Sequence, residues 1–275
     1  MGLSRIEKKF NLLATEKRSG LVTFITAGDP TYDTSLNILN KLPDAGADII
    51  ELGMPFSDPM ADGPSIQASS IRALKNKMTL SKLLKMVCEF RKKDQDTPII
   101  LMGYYNPIFI YGVERFLSDA LSAGIDGLII VDLPSEEDEE LAIPAKAAGM
   151  AMIHLATPTT NEIRLKKIIE NGSGFLYYVT IAGITGTAKP NFMSVKTSLE
   201  MFKKITDIPI AVGFGIKSPE DAANFAKFAD AVVVGSAIVD IIANNVDQEG
   251  LANYELESRV LSFVSLLADG VKTAR

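Results

Sequence analysis

A closed (β/α)8 barrel, the TIM-barrel architecture, is the fold this sequence predicts, as a single domain over 1–275 with extra helices at both ends. Three observations predict it. Eight short, nearly continuous apolar runs recur along 275 residues. Segments with helical spacing separate them, as parallel strands joined by crossover helices require. A weak internal repeat, AGADIIELG (45–53), AGIDGLIIVD (123–132) and FADAVVVGS (228–236), places a small residue at a helix end, then Asp, then a strand. The rival architecture with the same alternation is an open doubly wound sheet.

The strands are expected at 21–26, 48–52, 98–103, 126–132, 151–156, 174–180, 208–213 and 229–235. Each is apolar almost throughout, as strands covered on both faces should be. Helices are expected at 33–46, 79–94, 113–124, 135–149, 161–171, 194–206, 218–228 and 236–246. Ser218-Pro219-Glu220-Asp221 offers a cap, a proline at the first helical position and acids in the first turn; Asp33, Thr79 and Ser135 are similar caps. Further helices are expected at 3–18, within IQASSIRALKN (66–76) and near 255–268. Most strand starts are separated by 21–28 residues, but the second-to-third interval is 50 and the sixth-to-seventh is 34. The additional length therefore follows strands 2 and 6, on the face where barrel enzymes place their chemistry. The second insertion, IAGITGTAKPNF, has the small-residue composition of a lid.

Composition narrows the function. A net charge of −6 argues against a nucleic-acid or anionic-membrane surface. One cysteine and one histidine exclude a disulfide framework and multi-histidine or thiolate metal sites, so no metal site of those kinds is expected. The N-terminal stretch is charged without an apolar segment of the secretory type, and no run reaches the ~18–20 residues of a membrane span; a cytoplasmic location is expected.

Glu51 ends an apolar strand, where a carboxylate needs a partner or a role. Period-two alternation puts it on the side of Ile49, opposite Ile50 and Leu52. It is a candidate general acid/base, or a structural ion pair at the barrel mouth. Asp62 lies in the oversized loop after that strand, close enough to be a second carboxylate, though a loop Asp beside Gly and Pro is also a turn former. Gly213, Gly215, Gly235 and Ser236, at the ends of strands 7 and 8, match the barrel position that cradles phosphate, and Gly186 in the second insertion could close over the same anion. His154 is expected as a satisfied core or helix-facing residue, Cys88 as core, and the acids at 135–140 as a solvated first helical turn.

These residues carry a resemblance. IELGMPFSDPMADGPSIQ (50–67) closely resembles the signature of the tryptophan synthase alpha family, and FITAGDP (24–30), MGYYNPIF (102–109), IVDLP (130–134), AGITG (182–186), GFGI (213–216) and GSAIV (235–239) follow in that family's order. The resemblance spans about residues 20 to 245. It implies a lyase that cleaves indole-3-glycerol phosphate to indole and glyceraldehyde 3-phosphate in L-tryptophan biosynthesis, with no cofactor of its own. It implies that Glu51 is the acid/base at indole C3 and the side-chain hydroxyl, and that Asp62 stabilises charge at the indole N–H. Gly186, Gly215, Gly235 and Ser236 would hold the phosphate. Phe24, Met102, Tyr104, Ile129, Tyr177 and Phe214 would surround the indole, and Thr185 would reach Asp62 on lid closure. Asp58, Pro59 and Asn106 match positions facing a pyridoxal-phosphate-dependent beta subunit, to which indole passes by a tunnel in an expected α2β2 assembly. Two positions depart from the pattern: Ile181 stands where some members carry Arg, and Lys217 where Ser is frequent. Readings that compete with this one are the same lyase working alone, a non-catalytic phospho-ligand binder, and another phosphate-binding barrel of the same pathway.

Overall fold

Hydrogen bonding between strands runs in one unbroken parallel series, and its two ends lie in the same short stretch of chain. The structure is a computed structural model and describes residues 2–180, 192–213, 215–247 and 249–275, with side chains from residue 5 onward. The strands are β1 (Gly20–Thr26), β2 (Ile49–Gly53), β3 (Ile99–Gly103), β4 (Gly127–Ile130), β5 (Ala151–Met152), β6 (Leu155–Ala156), β7 (Leu176–Val179), β8 (Ile210–Gly213) and β9 (Ala231–Val234). Their order is β5-β4-β3-β2-β1-β9-β8-β7-β6. The expected fifth strand, 151–156, is thus two short pieces. β5 pairs with β4 and β6 with β7, and the join continues the ladder: Ile153 N donates to Leu128 O at 2.8 Å and Tyr177 N to His154 O at 3.0 Å. One stretch of backbone closes the barrel, meeting its left neighbour with one half and its right neighbour with the other, as the stagger of a tilted barrel demands. This excludes the open doubly wound sheet.

Alternation sorts the side chains. Val22, Ile49, Ile100, Ile129, Ile153, Phe175, Tyr177, Ala211, Ala231 and Val233 fill the interior, whereas Leu21, Ile50, Leu52, Leu101, Leu128, Val212 and Val232 pack under the helices. The helix α1 (Gly2–Thr15) plugs the N-terminal face with Ile6, Phe10 and Leu13, spaced i, i+4, i+7; Phe10 meets Phe175 at 5.8 Å between ring centroids.

The repeated Asp has a structural explanation. Asp48, Asp126 and Asp230 precede β2, β4 and β9, and each pairs with the first residues of the strand beside it. Their amides donate to Leu21, Ile99 and Ile210 carbonyls at 2.8, 2.9 and 3.0 Å. Their carboxylates accept from those same residues' amides at 2.9, 2.8 and 2.9 Å. Each also holds a cation: Arg18 forks onto Asp48, Arg5 and Arg91 converge on Asp126, and Lys203 meets Asp230.

The helices mostly fall where the spacing puts them, with some corrections; Ser135 lies inside a short turn and caps no helix. Thr31, not Asp33, caps α2 (Tyr32–Lys41); Thr79 and Ser218 cap α4 (Leu80–Arg91) and α10 (Pro219–Ala226) as expected. The expected helix 135–149 is a 3-10 turn at Ser135–Glu137 followed by α7 (Ala142–Ala147). Pro144 is the reason: deep in one long helix its ring would clash with the carbonyl four residues back, whereas in the first turn of a helix beginning at Ala142 it is tolerated. Cys88 is exposed, because the buried stripe of α4 runs through Leu83, Leu84, Val87 and Phe90. A helix not expected from the sequence, α5 (Tyr105–Tyr111), follows β3. The insertion after β2 contributes α3 (Pro64–Lys75), and the chain ends on α12 (Leu256–Lys272).

Asp126→Ala is expected to destabilise the fold by ~3–5 kcal/mol, since it strands the Arg91 guanidinium, whose side chain is 7% exposed. Denaturant unfolding measures this; a loss below about 1 kcal/mol would show that the three Asp junctions contribute little.

Candidate active site

At the C-terminal face the inward positions of β1, β2, β3, β7 and β9 surround a hollow of about 520 Å3, counting the part open to solvent. Phe24, Glu51, Met102, Tyr177 and Val233 come from the strands; Asp62 and Ile66 come from the insertion after β2; Gly215, Ile216, Gly235 and Ser236 come from the ends of β8 and β9. A smaller hollow of about 280 Å3 adjoins it and shares Phe24, Asp62, Ile66 and Met102, adding Tyr104 and Val131.

Glu51 is 1% exposed. It stands on the interior side with Ile49, in register with Phe24 on one neighbour and Ile100 on the other. Its Oε1 has no hydrogen-bond partner among the described residues. Burial alone pushes its carboxyl up to about 8. Tyr177 faces it: burial, reinforced by the Glu51 charge, holds the Tyr177 phenol well above the usual range. Two glycines leave room for these rings. A Cβ on Gly213 would stand 2.3 Å from Tyr177 Oη, and one on Gly53 would stand 2.6 Å from the Phe24 ring.

Asp62 is held by the loop rather than by the barrel. Tyr104 Oη donates to its Oδ2 at 3.0 Å and accepts from Ala61 N at 3.0 Å. Gln67 Nε2 donates to its carbonyl at 2.8 Å. Burial raises the Asp62 carboxyl to about 6, against the lowering effect of the Tyr104 hydroxyl. Asp58, four residues earlier, is exposed and accepts from Ser57. Opposite the acids, α11 (Ser236–Ala243) opens at Gly235–Ser236, and Gly215 takes φ +78, a conformation that favours glycine.

The strands and turns thus bring together Phe24, Glu51, Asp62, Met102, Tyr177, Gly215, Gly235 and Ser236 around the first hollow, with Tyr104 beside Asp62. Ile129 is buried in the barrel interior but lines neither hollow. Thr185, Gly186 and Phe214, and the departure at Ile181, lie outside the described residues. Lys217 is exposed. Ile66, Val233 and Ile216 were not singled out by sequence; period-two counting back from Gly235 points Val233 inward, while nothing local marks the other two. His154 is buried on the helix side as expected, but it is not satisfied: its Nε2 makes no hydrogen bond among the described residues and lies 3.3 Å from Oδ1 of Asp138, which is also buried and belongs to the acid run read as solvated. Burial pushes His154 below the usual histidine range, against the pull of Asp138.

A parallel barrel with two dissimilar carboxylates and glycine turns around an apolar hollow at its C-terminal face has the arrangement of a barrel enzyme's active site. Comparison with known proteins makes this specific. Residues 10–265 match the family model described as tryptophan synthase alpha chain. The tryptophan synthase subunit alpha of Legionella pneumophila str. Paris is 38% identical over 97% of this chain and 98% of its own, with a TM-score of 0.89. A solved structure from Aquifex aeolicus VF5 is 36% identical over 98% and 99%, at 0.88. A tryptophan synthase structure from Mycobacterium tuberculosis is 28% identical over 97% and 99%, at 0.85. The chain belongs to the tryptophan synthase alpha family. It is a carbon–carbon lyase of L-tryptophan biosynthesis, with the family's cleavage of indole-3-glycerol phosphate as its activity, and the family functions with a beta subunit.

The buried acid has a linkage consequence. An ordinary Glu titrates near 4.5 and Glu51 near 8. The cost of burying its charge is absent below the first value, grows as pH rises, and is complete above the second. Glu51→Gln is therefore expected to raise the denaturant midpoint at pH 8 and hardly at pH 5. A midpoint difference independent of pH would mean that Glu51 is not buried as an acid.

Proposed function

We propose that Glu51 and Asp62 perform the cleavage as an acid–base pair in opposite protonation states. The observation that carries this reading is that both line one hollow, with carboxyls raised to about 8 and about 6. Between those values Glu51 is protonated and Asp62 ionised. Glu51 gives its proton to indole C3, forming the indolenine, while the Asp62 carboxylate faces the ring N–H and stabilises the positive charge developing there. Glu51, now a carboxylate, takes the proton of the side-chain hydroxyl. The carbon–oxygen double bond forms, the C3–carbon bond breaks, and its electron pair returns to the ring. Indole and an aldehyde result, and Glu51 is again protonated.

The rest of the hollow suits the substrate's other parts. Phe24, Met102, Tyr177, Ile66 and Val233 offer apolar surface to the indole. Gly215, Gly235 and Ser236, where α11 begins, suit the phosphate. Ile129 stands in register with Met102 on the neighbouring strand, and Thr185, Gly186 and Phe214 belong to the site by resemblance. We assign the 275 residues to one domain, working in the cytoplasm as the alpha half of an α2β2 assembly. Asp58, Pro59 and Asn106 sit on the rim beside the exposed side chains of Met60, Phe109 and Ile110 (74%, 63% and 75% exposed), which suit burial against the beta subunit. No helix among the described residues is long and apolar enough to cross a membrane.

Indole release from indole-3-glycerol phosphate, with and without a beta subunit, tests the reading. Glu51→Gln is expected to lower kcat by ~10^2–10^4 with ligand binding retained, and Asp62→Asn by ~10^2–10^3. Near-normal turnover of either variant refutes its role, and activity that the beta subunit leaves unchanged refutes the assembly. In the wild type kcat/KM should rise with pH through about 6 and fall through about 8. A profile flat across that window would remove the opposed protonation states.

A further inference from the structure

Beyond the Tyr104 hydroxyl, Asp62 is carried by α3, and α3 is fastened to the turn that follows β1. Ser69, Arg72 and Asn76 lie on one stripe of that helix, at i, i+3 and i+7. Ser69 Oγ is 2.6 Å from Thr26 Oγ1, and it bonds Ile66 O at 2.7 Å. Arg72 forks onto Asp29, Nε to Oδ1 at 2.7 Å and Nη2 to Oδ2 at 2.8 Å. Asn76 Nδ2 donates to Pro30 O. The connection after the helix presses on the same turn: Gly28 has φ +83, and a Cβ there would stand 2.8 Å from Met78 Cγ. Asp29 has a fully buried side chain, and Arg72 is its one ion-pair partner among the described residues.

The other end of the helix is rigidly joined to Asp62. Only Gly63 intervenes before Pro64, whose φ is fixed by its ring. Gln67, in the first turn, holds the Asp62 carbonyl from its side chain and the Gly63 carbonyl from its amide. From Pro64 to Arg72 the helix is a lever of ~12 Å, so a tilt of ~5° at the fork moves Asp62 by ~1 Å, a displacement that can cost ~100-fold in rate.

We propose that Arg72 is a positioning residue: its two-pronged bond to Asp29 sets the orientation of α3 and so fixes where the Asp62 carboxylate stands in the hollow. The inference rests on the role assigned to Asp62 above. A fastening that served stability alone would leave kcat per folded molecule and the Asp62 environment untouched.

The experiment uses the full chain with its beta subunit, and Arg72→Met, Arg72→Lys, Asp62→Asn and the Asp62→Asn/Arg72→Met pair. Turnover is normalised to folded protein, and the Asp62 carboxyl is titrated by 13C NMR. Arg72→Met is expected to lower kcat by ~10–100-fold with KM within ~3-fold, Arg72→Lys, with a single ammonium in place of the fork, by less. The Asp62 midpoint should fall from about 6 toward the ordinary carboxylate range as the group swings toward water. In the Asp62→Asn background the Arg72→Met penalty should shrink to within ~3-fold, because the two act as one unit. An unmoved midpoint, or a kcat penalty carried in full into that background, overturns the proposal. If Arg72→Met does not fold, Arg72→Lys alone must show the smaller kcat loss and the shifted midpoint, and its failure to do so overturns the proposal equally. A wild type that releases no indole refutes the assigned function instead, while the titration still decides whether Arg72 governs Asp62.

Discussion

An acid without a counter-charge among the described residues, inside an apolar barrel, is the constraint on which the site depends. Glu51 occupies the inward side of β2 because period-two alternation leaves it no other, and that side is walled by Phe24, Ile100 and Tyr177. No cation compensates it and its Oε1 is unsatisfied among the described residues, so the neutral form is favoured near neutral pH. A group that costs stability when charged has a proton to lend. The glycines at 53 and 213 follow from the same constraint, since the rings that exclude water from Glu51 need the space a side chain would take. Asp62 is a contrast: only partly buried, held by a tyrosine hydroxyl and a backbone scaffold, it stays ionisable. Different depths of burial make two similar carboxyls chemically different.

The two ends of the barrel divide the work. At the N-terminal face Asp48, Asp126 and Asp230 each lock the start of a neighbouring strand and a basic side chain, and α1 seals the floor. These are satisfied polar groups, and they rigidify the end remote from the chemistry. At the C-terminal face Glu51 Oε1 is unsatisfied among the described residues, and the insertion after β2 carries Asp62.

Much of this was readable along the chain. Alternating apolar runs and helical spacing identify parallel strands covered by helices, since few other arrangements bury strands on both faces. The 50-residue interval between the second and third strand starts points to the loop that holds Asp62. The parity of Glu51 with Ile49 follows from counting. Other features were hidden because they depend on partners distant in sequence. The break in 151–156 arises from closure, the Pro144 break from a clash that helical spacing ignores, and the burial of Asp138 from His154, which no local pattern pairs with it. Cys88 lies one step, about 100°, beyond the buried stripe of its helix, a displacement within the error of reading helix phase.

By itself the sequence determined the alternation of strands covered on both faces with helices, the inward parity of Glu51, the loop that carries Asp62 and the family, because periodicity and short contiguous motifs are local and survive without coordinates. Only the tertiary structure decided that the sheet closes, that Glu51 Oε1 lacks a partner among the described residues, that Asp62 is reached by Tyr104, that Ile129 lines neither hollow, and that α3 is fastened to the turn at 26–30. The physical reason is the same in each case: burial and hydrogen bonding are set by groups that meet in space after closure, and a raised acidity constant is a property of that enclosure rather than of the residue.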